Sequence, residues 1–232
     1  SGMDALRANP EVLYGAVAAL VIVILLTPAV GGMARLLGVV DRPEARRLNP
    51  NPIPRLGGLA IFFGIFVPAL AFLELGRETR GVLLGAAVAT VVGAIDDFRV
   101  LRPGRKLAGQ VVAAAIPPFF GVWIDHFTFP FFGPVDLPAV VGMPLTMLWI
   151  VAVMNMVNFL DGMDGLAAGV CAIAGVTYAV LALSLEKIDP AVLSAIIAGA
   201  CIGFLRHNFF PARIFMGDSG ALVLGFLLAA VS

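Results

Sequence analysis

Five aspartates carry most of the chemistry available to this chain: Asp96, Asp97, Asp161, Asp164 and Asp218. Each lies at the end of a long apolar segment. A carboxylate beside a bilayer is costly unless it holds a metal, a proton or a substrate. Counting alternate connections places all five on one side of a membrane. Together they point to metal-dependent chemistry on a phosphate-bearing substrate at the membrane surface.

The densest run is NMVNFLDGMDGLAAG, residues 155–169, in which Asn155, Asn158, Asp161 and Asp164 recur every three residues. Neighbours in such a series share a helix face, but nine residues drift about half a turn. A break at Gly162 and Gly165 is therefore expected, returning the set to one locus. Oxygen-only donors suit Mg²⁺, which takes one or two protein oxygens and keeps waters and phosphate. The bland alternative is polar capping of two helix ends.

A second run, GAIDDFRVLRPGRKLAGQ, holds Asp96, Asp97, Lys106 and Gln110. Adjacent helical residues point about 100° apart, so the two aspartates cannot face one point from a regular helix. The backbone is expected to open there, one carboxylate facing a metal or substrate and the other a cation. The alternative, a helix stop with salt bridges, places acid where the helix dipole opposes it. Lys106 and Gln110, four apart, share a helix face.

The third run, FLRHNFFPARIFMGDSGALVLG, brings Arg206, Asn208, Arg213 and Phe215 ahead of Asp218. These supply phosphate donors, an amide and a ring on which a base could stack. Asp218 could instead serve as an N-cap. His207 reads as a loop residue rather than a catalyst. The fourth run, DRPEARRLNPNPIPRLGG from Asp41 to Gly58, is a stiff basic strap with four arginines and four prolines. It reads either as an anchor on lipid headgroups or as a phosphate contact through Arg55, with Gly57 and Gly58 allowing close backbone approach.

The elements that position these residues follow from composition. Hydrophobic residues make up 60% of the chain and charged residues 13%, too few charges for an ordinary soluble domain of this size. Apolar stretches place spans at Val12–Leu37, Leu59–Leu73, Gly81–Ile95, Leu107–Ile124, Val140–Leu160, Leu166–Leu185, Ala191–Leu205 and from Ala221 onward. This is an all-α integral membrane protein, a polytopic bundle of about eight transmembrane helices in one domain over residues 1–232. Pro28, Pro68, Pro117 and Pro118 are expected to kink their helices. The stretch Phe127–Pro138 reads as a short extracytoplasmic β-hairpin. Cys171 and Cys201 sit in apolar runs and read as buried small hydrophobes. From Ala221 only twelve residues remain, so the last span is expected to be truncated from a longer fold. Ser1-Gly2 reads as a tag scar before Met3.

One set of connections holds Arg35, Arg42, Arg46, Arg47, Arg55, Arg99, Arg102, Arg105, Lys106, Arg206 and Arg213; the other holds Arg7, Arg77, Arg80 and Lys187. That is 11 against 4. The first side is therefore expected to be cytoplasmic, with the N-terminus outside and all five aspartates inside. Zero formal net charge gives no reason to expect a nucleic-acid partner.

In order and spacing, PIPRLGG (Pro52–Gly58), Asp96–Asp97, NxxNxxDGxDGLA and NFxPARIFMGDSG resemble the polyprenyl-phosphate N-acetylhexosamine-1-phosphate transferases. PIPRLGG and PARIFMGDSG are more similar to the WecA/TagO branch than to MraY. The resemblance implies an enzyme of the cytoplasmic (inner) membrane that starts a cell-envelope glycan. It would transfer N-acetylhexosamine-1-phosphate, GlcNAc-1-phosphate first among the candidates, from a UDP-sugar to undecaprenyl phosphate, releasing UMP. It implies Mg²⁺, with Mn²⁺ as an alternative. By position it implies metal contacts at Asp218, Asn158 and Asp161, and uridine contacts at Asp164, Asn208 and Phe215. Phosphate contacts would fall to Lys106, Arg55 and Arg213, and activation of the lipid phosphate to Asp96 and Asp97. The partners expected are UDP-N-acetylhexosamine, undecaprenyl phosphate, the bilayer and, as with many helical membrane enzymes, a second copy of the chain. Two departures stand out: Asn49 replaces a histidine of many relatives, and the family's His-rich loop and C-terminal helices would lie beyond Ser232. The alternatives are an MraY-like phospho-MurNAc-pentapeptide transferase, a cation or proton transporter, and a non-catalytic scaffold.

Overall fold

A computed structural model describes residues 6–41, 52–129 and 133–232. Eight helices account for most of them: α1 Glu11–Leu36, α2 Gly57–Phe72, α3 Arg77–Phe98, α4 Pro103–Phe119, α5 Ala139–Leu160, α6 Leu166–Ser184, α7 Ile188–Asn208 and α8 Gly217–Val231. Each expected span is present as a helix. Several start earlier than their apolar stretch, because a helix can begin on polar or proline residues before it enters an apolar layer. Thus α3 opens on Arg77-Glu78-Thr79-Arg80 and α4 on Pro103, where proline lacks only an N–H that the first turn leaves unpaired anyway.

Five helices, α1, α3, α5, α6 and α7, are long and apolar enough to cross a membrane. Helices α1, α5 and α6 turn exposed large apolar residues outward, such as Leu25, Leu148 and Ile173. A belt of that kind is compatible with lipid rather than water. The chain is an all-α, multi-pass membrane protein. By contrast, α8 is short, and twelve of its fifteen residues are buried. It forms the centre of the bundle, packing most extensively on α3 and α5 and also touching α2, α4, α6 and α7. On one flank α1 packs against α2 and α7, and α6 against α7. Cys171 on α6 and Cys201 on α7 are buried free thiols, as expected.

Two short antiparallel pairs complete the fold. β1 (Val40–Asp41) pairs with β2 (Ile53–Pro54), closing the ends of the basic strap over a small cluster of Val30, Ala34, Val39, Leu56 and Ala60. The strap's interior, with Arg42, Arg46, Arg47 and Asn49, lies outside the described residues. β3 (His126–Phe129) pairs with β4 (Gly133–Asp136) in the register His126↔Asp136 and Phe129↔Gly133. This is the expected hairpin, starting one residue earlier; its tip also lies outside the described residues.

The expected proline sites fall inside continuous helices. At Pro28 the chain shows how continuity is kept. Proline has no N–H for the carbonyl four residues back, which is that of Ile24. The ring of His207, near the end of α7, supplies the missing donor: its Nε2 lies 3.1 Å from Ile24 O. Since a carbonyl only accepts, Nε2 must carry the proton. His207 is thus a structural donor between α7 and α1. His207→Ala should cost about 1–3 kcal/mol by leaving a carbonyl unpaired, and clearly less in a Pro28→Ala background, where residue 28 regains its N–H. Melting of both single variants and the double variant in detergent checks this; an equal loss in both backgrounds would exclude the pairing.

Candidate active site

Helices alternate in direction, so α1, α3, α5 and α7 end where α2, α4, α6 and α8 begin. The polar runs gather at this end. Lys106, near the start of α4, reaches three oxygens: Asp96 Oδ2 at 3.0 Å, Asp218 Oδ1 at 2.9 Å and Asn158 Oδ1 at 3.2 Å. Asn158 Nδ2 in turn donates to Asp218 Oδ1. Four helices (α3, α4, α5 and α8) therefore meet in one charge-assisted network. Asp96 is buried, and its other oxygen accepts from Leu101 N at 2.6 Å.

Asp96 and Asp97 diverge, as expected for helical neighbours, but α3 stays helical through Phe98 instead of opening. Asp97 faces α8. Its Oδ1 accepts from Asp218 N (2.8 Å), and its Oδ2 accepts from Ser219 N (3.0 Å) and Ser219 Oγ (2.7 Å). The expected cation falls to Asp96, as Lys106, whereas the partner of Asp97 is a helix N-terminus rather than a metal or substrate. Asp218 lies in the first turn of α8 without capping it; the capping carboxylate comes from another helix.

The expected break between α5 and α6 is present. α5 ends at Leu160, a turn follows, and α6 begins after Gly165 at φ +72°. Asp161 in that turn accepts from Gly217 N at 3.2 Å. Burial, together with the negative charges of Asp218 and Asp97, pushes its carboxyl up to about 7, while the Gly217 hydrogen bond and Arg55 pull the other way. Asp164 Oδ2 accepts from Ala212 N at 2.9 Å. Asn208 is buried, with both ends of its amide engaged: its Oδ1 accepts from Gly165 N (3.1 Å) and its Nδ2 donates to Ile214 O (3.0 Å). Both side chains tie the α5–α6 turn to the α7–α8 loop, which forms one wall of the site.

Of the remaining candidates, Arg55 is half-buried near Asp161, Phe215 is half-buried and Arg213 is exposed. The glycines after Arg55 approach protein rather than a free ligand surface. Gly57 N donates to Phe215 O at 3.0 Å and Gly58 N to Met216 O at 2.7 Å, while Phe215 N donates to Pro54 O at 2.8 Å. The PIPRLGG and PARIFMG segments thus form one latch. One contributor, Ser219, and one pairing, Gln110 with Asn155, were missed in the sequence. Ser219 was passed over because its partner Asp97 is distant in the chain. Gln110, buried one turn below Lys106, exchanges amide hydrogen bonds with Asn155 (3.0 and 3.3 Å), one turn below Asn158. The spacing from Lys106 to Gln110 and from Asn155 to Asn158 was the available signal.

Among the described residues, no three His, Cys, Asp or Glu side chains are placed to hold a metal ion by themselves. The donor chemistry still fits a hard cation: carboxylate and amide oxygens converge on a point now taken by the Lys106 ammonium. That set is adequate for Mg²⁺, which relies largely on water and phosphate oxygens.

Comparison with known proteins places the chain in a family. Residues 79–232 match the model of glycosyl transferase family 4. The chain is 38% identical to a probable undecaprenyl-phosphate N-acetylglucosaminyl 1-phosphate transferase of Bacillus subtilis (strain 168), over 96% of this chain and 62% of the relative. It is 37% identical to the decaprenyl-phosphate N-acetylglucosaminephosphotransferase of Mycobacterium leprae (strain TN), over 89% of this chain and 56% of that protein. A phospho-N-acetylmuramoyl-pentapeptide-transferase of Desulforudis audaxviator (strain MP104C) is 34% identical, over 95% of this chain and 75% of its own length. The chain thus spans little more than half the length of the first two relatives. Matched by the family model along about two thirds of its length, the chain belongs to glycosyl transferase family 4.

Proposed function

We propose that this chain carries the catalytic end of an enzyme that transfers GlcNAc-1-phosphate from UDP-GlcNAc to undecaprenyl phosphate, releasing UMP. The observation that carries the reading is the Asp96–Lys106–Asn158–Asp218 network at one end of an apolar bundle. The B. subtilis and M. leprae relatives support the amino sugar through their names. The D. audaxviator relative keeps a phospho-N-acetylmuramoyl-pentapeptide acting enzyme as the second reading. A transporter is disfavoured because the acids sit at the bundle's end rather than at mid-span.

In the proposed reaction a phosphate oxygen of the lipid attacks the sugar-bearing phosphorus, and the bond from that phosphorus to UMP breaks. Two anions must approach each other, so charge neutralisation dominates the barrier. Asp218 and Asn158, with Asp161, would hold Mg²⁺, which supplies charge neutralisation at the diphosphate. Lys106, Arg55 and Arg213 would bind phosphate, the first already oriented by three oxygens. Asp96 or Asp97 would keep the attacking phosphate deprotonated in a direct displacement. Asp164, Asn208 and Phe215 would form the uridine pocket, Phe215 as the ring against the base. The lysine and arginine asymmetry supports a cytoplasmic-membrane protein with this end facing the cytoplasm.

Two measurements test the reading. UMP and UDP-GlcNAc, but not CMP, should raise the melting temperature of the detergent-solubilised chain, more so with Mg²⁺. Phe215→Ala should weaken UMP binding by about 1–3 kcal/mol, the loss expected for base stacking. Equal shifts with CMP, or unchanged affinity in the variant, would exclude the assigned pocket.

The second concerns Asp161. Its carboxyl titrates near 7 in the folded chain, against an ordinary 3.8. A raised pKa means that the fold favours the neutral acid. That stabilisation is complete below about pH 4 and is lost as pH rises through about 7. Without divalent cations, the chain should therefore melt lower at pH 8 than at pH 5.5, and Asp161→Asn, uncharged at both, should narrow the gap. An undiminished gap would assign the pH dependence to other groups.

A further inference from the structure

Asp96 and Asp97 are adjacent in sequence, yet the structure commits them to different tasks. Asp96 points at Lys106, one of the cations offered to phosphate. Asp97 has both oxygens on α8, receiving Asp218 N, Ser219 N and Ser219 Oγ at 2.7–3.0 Å. The first-turn amides of a helix have no partner within the helix. A cap residue normally supplies one, but the position ahead of α8 is Met216, with no side-chain hydrogen bond to offer. Asp97 does this work from α3, and its negative charge suits the positive end of the α8 dipole.

The surrounding backbone is shaped for this contact. Gly93 lies one turn before Asp97 on the same face of α3. A Cβ there would fall 2.4 Å from Asp218 O, so only glycine lets α3 lie this close to the first turn of α8. Gly217, at φ +73°, faces the carboxylate: a Cβ there would lie 2.7 Å from Asp97 Oδ1. The result is that Asp218, one residue into the turn that Asp97 holds, presents Oδ1 to Lys106 and Asn158.

We propose that Asp97, with Ser219 as its partner, is a positioning residue that fixes the Asp218 carboxylate, and is not the group that takes or holds the proton of the attacking phosphate. A general base must reach the proton it removes, and Asp97 has both oxygens turned to α8, with three of the carboxylate's four acceptor sites already taken there. The kinetic part of this inference rests on the transferase reading; the structural part does not.

The test compares Asp97→Asn and Ser219→Ala in the full-length protein in detergent. An asparagine keeps one acceptor but turns an NH₂ toward a second donor, and Ser219→Ala removes one of the three bonds. Amide hydrogen exchange over residues 215–222 should quicken about tenfold in Asp97→Asn, and less in Ser219→Ala. The Mg²⁺ concentration for half-maximal turnover should rise in both variants, while the acidic limb of the pH–rate profile stays where it is. Unchanged exchange in Asp97→Asn overturns the proposal. So does a full loss of turnover in Asp97→Asn alongside a parent-like Mg²⁺ requirement in Ser219→Ala. If the parent neither binds uridine nucleotides nor turns over, the transferase reading fails, while the exchange result still decides whether Asp97 holds α8.

Discussion

Backbone amides at the starts of buried helices must find acceptors, and at one end of this bundle none of the helices supplies its own. No side chain at the N-caps of α2, α4, α6 or α8 makes a capping bond. An unpaired buried N–H costs about as much as a lost hydrogen bond, so the acceptors come from elsewhere. The carbonyls of Phe215 and Met216 serve α2. Asn208 serves Gly165 ahead of α6. Asp161 and Asp97 serve α8. At α4, Pro103 removes one donor from the problem. Apart from that at α4, each solution joins segments far apart in the chain, and together they assemble the candidate site.

The same economy explains why so many acids tolerate one another. Asp97 and Asp161 are not free charges in a common pocket, since each is spent on the positive end of α8. Asp96 and Asp218 share Lys106. Burial, and after it the charges of two neighbouring acids, push the carboxyl of Asp161 toward neutrality. What remains is a small cluster of two carboxylates around one ammonium. In the proposed reaction an arriving diphosphate would compete with Asp218 for that ammonium, and the carboxylate so released would suit a divalent cation.

Much of this was legible in the sequence, for physical reasons. Apolar length located all eight helices, because desolvation governs where a chain can cross an apolar layer. The three-residue spacing from Asn155 to Asp164 foretold the break before α6, because a continuous helix would have scattered those side chains. The right-angle divergence of Asp96 and Asp97 followed from helix geometry. Their partners did not, because capping in trans depends on which helix end lies beside which. For the same reason Gly57 and Gly58 suggested a ligand when they face the α7–α8 loop, and Ser219 and the Gln110–Asn155 pair passed unnoticed. His207 could have been inferred only by asking where the carbonyl orphaned by Pro28 finds a donor.

The position of α8 then follows. Its residues are buried by other helices rather than by lipid, so its depth is set by protein contacts. Its first turn is pinned by Asp97 and Asp161, by the Gly93 face of α3, and by the latch to α2. Farther along, Gly225 sits against the α5 backbone at Met154, where a Cβ would lie 2.6 Å from Met154 Cα. A helix fixed at both levels cannot slide along α3 or α5 without breaking these contacts. The carboxylate of Asp218 therefore sits on the most constrained element of the fold, whereas Lys106, on a long side chain from a less buried helix, is the member of the network free to adjust when substrate arrives.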